Sequence, residues 1–469
     1  MMQIIKNEWK SLWRNKIFAL LTLFFLVSLA AVTWLGIAQN TKQQAQQQAA
    51  HDEIRQKWEN IDAMNPHGAA HYGSYAFKPV TALSGIDDGV NAVTGNVLRL
   101  EGHVQNEMVY SEASQSLSVS KFGKLKPSLL LQYVIPLLLI FMAFASISSE
   151  KDSGRLKLLI FQGASRKQLI FSKALSVFLY GLLLLIIVIA VQLIVSFSTL
   201  NSNELLRMTL LFFAYAMYYY IIATLATYFS ARLQSNAAVL SSMLVVWLIW
   251  TIFLPNIWGN TTDALYPLPS RQDFKAAMQE DRAKGIDGHN PSDERKKALT
   301  QKVLDKYNVD DVKELPINFD GLLMQADEEY GNIVWDRHFG ENHKILEKQK
   351  STYQISGFVN PFASLQSASM GFSGSDMLHH VDFLQEAENY RRDLIKKLND
   401  KHAYGGSKTG DWNWEADNSF YRSIADFSYT LPQIKSFGSH YLLDFICLGF
   451  WVILITVIVS LTAKKIKIG

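Results

Sequence analysis

Long apolar runs alternate with polar stretches along this chain, and the length of the runs is the first constraint. They fall at 17–38, 128–148, 172–197, 205–229, 236–254 and 437–462. Each is near the 18 or more apolar residues that a helix needs to cross roughly 30 Å of hydrocarbon. The pattern predicts a membrane protein, mainly α, with about six transmembrane helices. Pro136 inside the second run is tolerable where neighbouring helices satisfy the freed carbonyl. Pro255 and Asn256 are expected to end the fifth run. Two large polar stretches remain, 39–127 and 255–436. The first is glycine-rich, with a strand-like segment over 91–105. The second has helical periodicity over 292–306, 322–350 and 381–401. The two stretches are expected to fold together as one mostly helical (α+β) extracytoplasmic domain.

Residues 1–16 place Ile4, Ile5, Trp9, Leu12 and Trp13 on one helical stripe beside Lys6, Lys10 and Arg14. This suits a helix lying in the inner membrane interface. The run that follows is longer than the apolar core of a signal peptide, about 7–15 residues, and is expected to be retained as the first span.

Charge orients the chain. Between the second and third runs, Lys151, Arg155, Lys157, Arg166, Lys167 and Lys173 outnumber Glu150 and Asp152. An excess of Lys and Arg in a short loop marks the cytoplasmic side. Both termini and Arg232 then fall on that same side. Lys121, Lys124 and Lys126 run against this assignment, but long translocated loops follow the charge rule poorly.

Across 469 residues the formal net charge is only +3, which argues against a nucleic-acid partner. The single cysteine, Cys447, permits no intrachain disulfide and excludes a cysteine-based zinc site. There is no G-x-x-x-x-G-K-[ST] phosphate loop; the nearest string, Gly405 to Gly410, lacks a glycine immediately before Lys408. Any use of ATP therefore needs a second protein. No catalytic constellation can be assigned.

Histidines raise the question of metal. His67 and His71 are spaced i, i+4, His379 and His380 are adjacent, and His103 is available. Pro66 and Gly68 weaken a helical reading of the first pair, and no metal ligand is assigned. In the fourth run Tyr215, Tyr219 and Thr224 either line a translocation path or bond neighbouring helices, the second reading being preferred. Asp444 near the outer end of the last run either reaches water or pairs.

Three stretches carry a family resemblance. The first is Glu150 to Leu159, followed by Gln162-Gly163 and Lys173-Ala174-Leu175. The second is His71 to Pro79 with Leu100 to Asn106. The third is Asn360-Pro361-Phe362 with Phe383 to Arg391. Over essentially its whole length the chain resembles the permease subunit of an ABC-2-type (type V) ABC transporter, in a bacterial subfamily whose large extracytoplasmic loops have no known function. Arg155 stands where that family's coupling segment has threonine. The resemblance implies a multi-pass protein of the bacterial cytoplasmic (inner) membrane, exporting or extracting a substrate. It implies a cytoplasmic ABC ATPase dimer, carrying the ATP and Mg, and a second permease subunit, identical or homologous, as partners. A periplasmic or outer-membrane partner is a further candidate. Segment 149–171 is expected to couple to the ATPase through Glu150, Asp152, Gly154, Arg155, Leu156, Gly163 and Arg166. The alternative is a subunit that transmits force to an envelope partner without moving a solute.

Overall fold

The computed structural model describes residues 2–14, 16–81, 83–106, 108, 125–197 and 200–465. Lys121 and Lys124, and the basic tail beyond residue 465, lie outside them. Among the described residues, six helices are long and apolar enough to cross a membrane: Lys16–Glu59, Pro127–Asp152, Arg166–Val195, Ser202–Arg232, Asn236–Leu265 and Ile434–Thr462. They are called spans one to six. Their apolar faces meet in one core that includes Phe25, Leu139, Leu184, Tyr218, Ile222 and Leu448.

Two spans carry a π-helical turn just before a proline. Leu130–Val134 precedes Pro136, and Ile249–Phe253 precedes Pro255. Proline removes one backbone donor and crowds the preceding turn. The wider i→i+5 turn absorbs both effects. Span five thus does not stop at Pro255, contrary to the sequence reading; the helix continues to Leu265.

Span one is one continuous 44-residue helix, about 66 Å long at 1.5 Å per residue. Its polar half leaves the bundle and enters the folded polar stretches. There Trp58 packs with Ile61, Ala70, Leu394, Leu398 and Tyr421, joining both stretches in one core. Two antiparallel pairs close this body: Ala63–Met64 with Ala416–Asp417, and Ser74–Phe77 with Val97–Leu100. The second pair is shorter than the strand expected over 91–105, because Asn91–Thr94 forms a helical turn and Gly95 breaks away from it.

The stretch 255–436 is not wholly outside the bundle. After a 3₁₀ turn at Ser356–Phe358, the helix Pro361–Phe372 packs against spans four and six and the π-turn of span five. Asn360 caps it, accepting from Phe362 N at 3.2 Å, and donates to Trp250 O at 2.9 Å. Phe362, Leu365 and Phe372 are buried in the bundle core. Twelve residues are too few to span a bilayer but enough for a re-entrant helix. Gly371 lets it approach: a Cβ there would lie 2.0 Å from the Tyr441 ring.

Candidate functional site

At one end of the bundle the chain between spans two and three forms an elbow. Gly154 at φ 72° and Gly163 at φ 94° flank a short helix, Arg155–Phe161. These are left-handed conformations that glycine adopts without steric cost. Ser165 then caps span three, accepting from Gln168 N at 3.1 Å. Within the elbow helix Leu156 turns inward to Ile147, Leu169, Ile455 and Val459. Leu158 and Phe161 turn outward, 61% and 86% exposed.

The elbow is tied down on three sides. Ser230 Oγ of span four accepts from Ile147 N and Ser148 N at 3.0 and 3.1 Å and donates to Phe144 O. Lys151 donates to Ala231 O and Leu233 O, and Arg166 to Lys464 O. Lys173, 2% exposed, bridges Glu8 of the first helix and Glu150 of the elbow at 2.5 and 2.9 Å. Trp9 of that first helix, Met2–Arg14, donates to Ser176 O.

Of the elbow residues singled out from sequence, Glu150, Leu156 and Arg166 are engaged within the joint, and Gly154 and Gly163 shape its turns. Asp152 and Arg155 are exposed. The coupling set read from sequence left out Leu158, Phe161, Lys173, Glu8 and Ser230, although Leu158 and Lys173 lie in the stretches that carry the resemblance. The signal for the first two was present: an apolar LKLLIF string inside a charged loop too short to bury it.

Tyr215, Tyr219 and Thr224 are all fully buried. Tyr215 OH shares hydrogen bonds with Ser369 Oγ at 2.8 Å and Gln132 Nε2 at 3.2 Å, and Tyr219 OH donates to Leu131 O at 2.8 Å. Asp87 joins this knot, accepting from Ser369 Oγ at 2.5 Å and Gln132 Nε2 at 3.0 Å. Four elements thus meet: the first polar stretch, spans two and four, and the re-entrant helix. A cavity of ≈ 200 Å³ opens elsewhere, beside Val32, Gly36 and Asn40 of span one, Gln192 of span three and Ser196 just after it.

A second polar junction lies beside it. Asp376 accepts from His379 Nδ1 at 2.6 Å, Lys350 Nζ at 2.8 Å and Tyr441 OH at 2.9 Å. His379 Nε2 accepts from Arg207 of span four at 3.2 Å. Burial works to raise the Asp376 carboxyl, but the His379 hydrogen bond and the Lys350 charge outweigh it and hold the group below the usual range. Burial pushes His379 down. Asp444 does not reach water. It is fully buried and accepts from Gln354 Nε2 at 2.7 Å and Ser367 Oγ at 2.9 Å, because the re-entrant helix covers it.

The histidines form a third group. The expectation that Pro66 and Gly68 would spoil a helix is corrected: Pro66 opens the helix Pro66–Tyr72, where its missing N–H costs nothing, and Asn65 caps it. His67 and His71 therefore share one face, their Nε2 atoms 3.2 Å apart. His103, at φ 65°, completes a set whose ligand nitrogens all lie within 4.8 Å of one another. His103 Nδ1 lies 3.1 Å from Glu328 Oε1, and Glu328 Oε2 accepts from Arg391 at 3.0 Å. Burial would raise the Glu328 carboxyl, but these partners hold it at about 2.

A sequence profile described as ABC-2 family transporter protein matches residues 2–313, which include the elbow and five of the six spans. A second, described as a domain of unknown function (DUF3526), matches residues 271–430. Searches of curated proteins and of solved structures found no match to the chain.

Proposed function

Since the chain belongs to the ABC-2 family of transporter proteins, we propose that it is the permease subunit through which a separate cytoplasmic ATPase drives export or extraction of a substrate. The basic elbow is read as cytoplasmic on the positive-inside rule, which puts both large polar stretches on the periplasmic face. The observation that carries the coupling role is the outward pair Leu158 and Phe161. Two large apolar side chains stand uncovered by the rest of the chain on a helix whose base is locked by Lys173, Glu8 and Glu150. A rigid mount with an apolar knob suits a socket on a motor subunit, because force passes only through a joint that does not yield. Copurification of the native complex tests this: Phe161→Asp should still reach the membrane and lose the ATPase. An intact, fully active complex would overturn the assignment.

One observation favours force transmission without a solute path. Tyr215 and Tyr219 spend their hydroxyls on neighbouring helices, and the re-entrant helix joins the bundle to the large domain. On that reading the domain moves with the bundle and acts on a partner in the envelope. Transport of a bound molecule by reconstituted vesicles separates the two.

A further inference from the structure

We propose that His67, His71 and His103 bind one divalent transition-metal ion of the zinc and copper class on the large domain. The spacing carries the first part. In tetrahedral zinc sites Zn–N distances near 2.0–2.1 Å separate neighbouring ligand nitrogens by about 3.3 Å. The Nε2 atoms of His67 and His71 stand 3.2 Å apart on one helical face.

The third imidazole is delivered by the backbone. His103 adopts a left-handed conformation, which non-glycine residues seldom adopt. Three contacts hold it there. Gly102 N donates to Ala70 O of the histidine helix at 2.9 Å, His103 N donates to Glu328, and Arg282 donates to His103 O at 3.3 Å. Conformational cost is thus accepted to bring one imidazole against the other two.

Glu328 supplies the outer support. Its carboxylate faces His103 Nδ1 at 3.1 Å, which leaves Nε2 as the nitrogen available to an ion. A carboxylate behind a histidine, fixing its tautomer, is the usual companion of a metal-bound imidazole. Glu328 is 3% exposed and is itself fixed by Arg391. A plain aromatic cluster is the competing account, since Trp412 lies edge-on to His67 at 5.6 Å. That account gives no reason for the His103 backbone conformation.

The ligand set selects the class of ion. Three imidazoles suit zinc, copper or nickel, whereas magnesium and calcium take oxygen ligands. His71 is exposed, so the site can exchange its ion and keeps a fourth position for water or another ligand. Its position gives it a mechanical link as well: Trp58, near the end of the span-one helix, donates to Gly73 O directly after the histidine helix.

The test uses full-length protein without a polyhistidine tag, stripped by chelator in detergent. Titration with Zn²⁺ is expected to saturate at one ion per chain, and Co²⁺ to give the visible bands of a nitrogen-ligated tetrahedral site. His71→Ala, at an exposed position, should fold normally, weaken Zn²⁺ binding at least tenfold and abolish the Co²⁺ bands. His103→Ala should do the same. Absence of saturable Zn²⁺ binding by the unsubstituted protein, or undiminished affinity in a folded His71→Ala variant, would overturn the proposal.

Discussion

Arg207 of span four donates to Nε2 of His379, 3.2 Å away, so this imidazole must accept there and carry its proton on Nδ1, facing Asp376. The pairing makes the bundle–domain junction sensitive to acid. His379 is a base whose folded pKa lies below its ordinary 6.5, so the unfolded chain binds the proton more readily. Its contribution is present above that value and is lost as pH falls below it. His380, pushed down to about 3 by burial and then by Lys78, acts with the same sign. Asp376, held below 3.8, adds a further loss only at still lower pH. The melting temperature of the purified protein should fall between about pH 7 and pH 5, and His379→Gln should flatten that slope. Unfolding independent of pH over that interval would contradict it.

The two faces of the elbow helix should respond differently to truncation. Leu156 is buried against Leu169 and Val459, so Leu156→Ala is expected to cost about 2–5 kcal/mol. Phe161 is left uncovered by the chain, so Phe161→Ala should change stability by no more than about 0.5 kcal/mol. Parallel thermal melts of both variants check the contrast, and equal losses would mean that Phe161 is covered within this chain.

Removal of the Lys173 ammonium leaves two carboxylates facing each other across the base of the elbow. Lys173→Met should destabilise the elbow by on the order of 1–3 kcal/mol. Adding Glu150→Gln should recover part of that loss. Hydrogen exchange of residues 148–166 reads the effect, and a double-mutant cycle isolates the pair. Additive effects would show that the contact couples nothing.

Gly371 offers a steric test. A methyl group there meets the Tyr441 ring, so Gly371→Ala should cost about 1–3 kcal/mol through overpacking. Gly259 on span five has open space around its Cβ position, and Gly259→Ala should be close to neutral. Melting temperatures of the two variants separate the close approach from a general preference for glycine.

The six spans were legible because a bilayer demands a length that few other structures need. The re-entrant helix was not. Pro361–Phe372 has too few residues to register as a span, and Ser364, Ser367 and Ser369 interrupt its apolar pattern. Ser367 faces Asp444, and Ser369 faces Asp87 and Tyr215, partners distant in sequence. Pro255 misled for a local reason: a π-turn can carry a helix through a proline, and nothing in the residue pattern announces it. Glu150 and Arg155 looked equivalent as charges, yet one is bonded to Lys173 and the other is exposed. His103 lies 32 positions beyond His71, and only the backbone geometry brings them together.

The unbroken helix Lys16–Glu59 has the length of a lever arm. With its fulcrum at the elbow end of the bundle, a tilt of about 10° sweeps the far tip through about 11 Å on the 1.5 Å rise per residue. Rocking too slight to open a gap between spans would thereby be magnified into a swing the width of a helix, delivered where Trp58 grips the backbone beside His67 and His71.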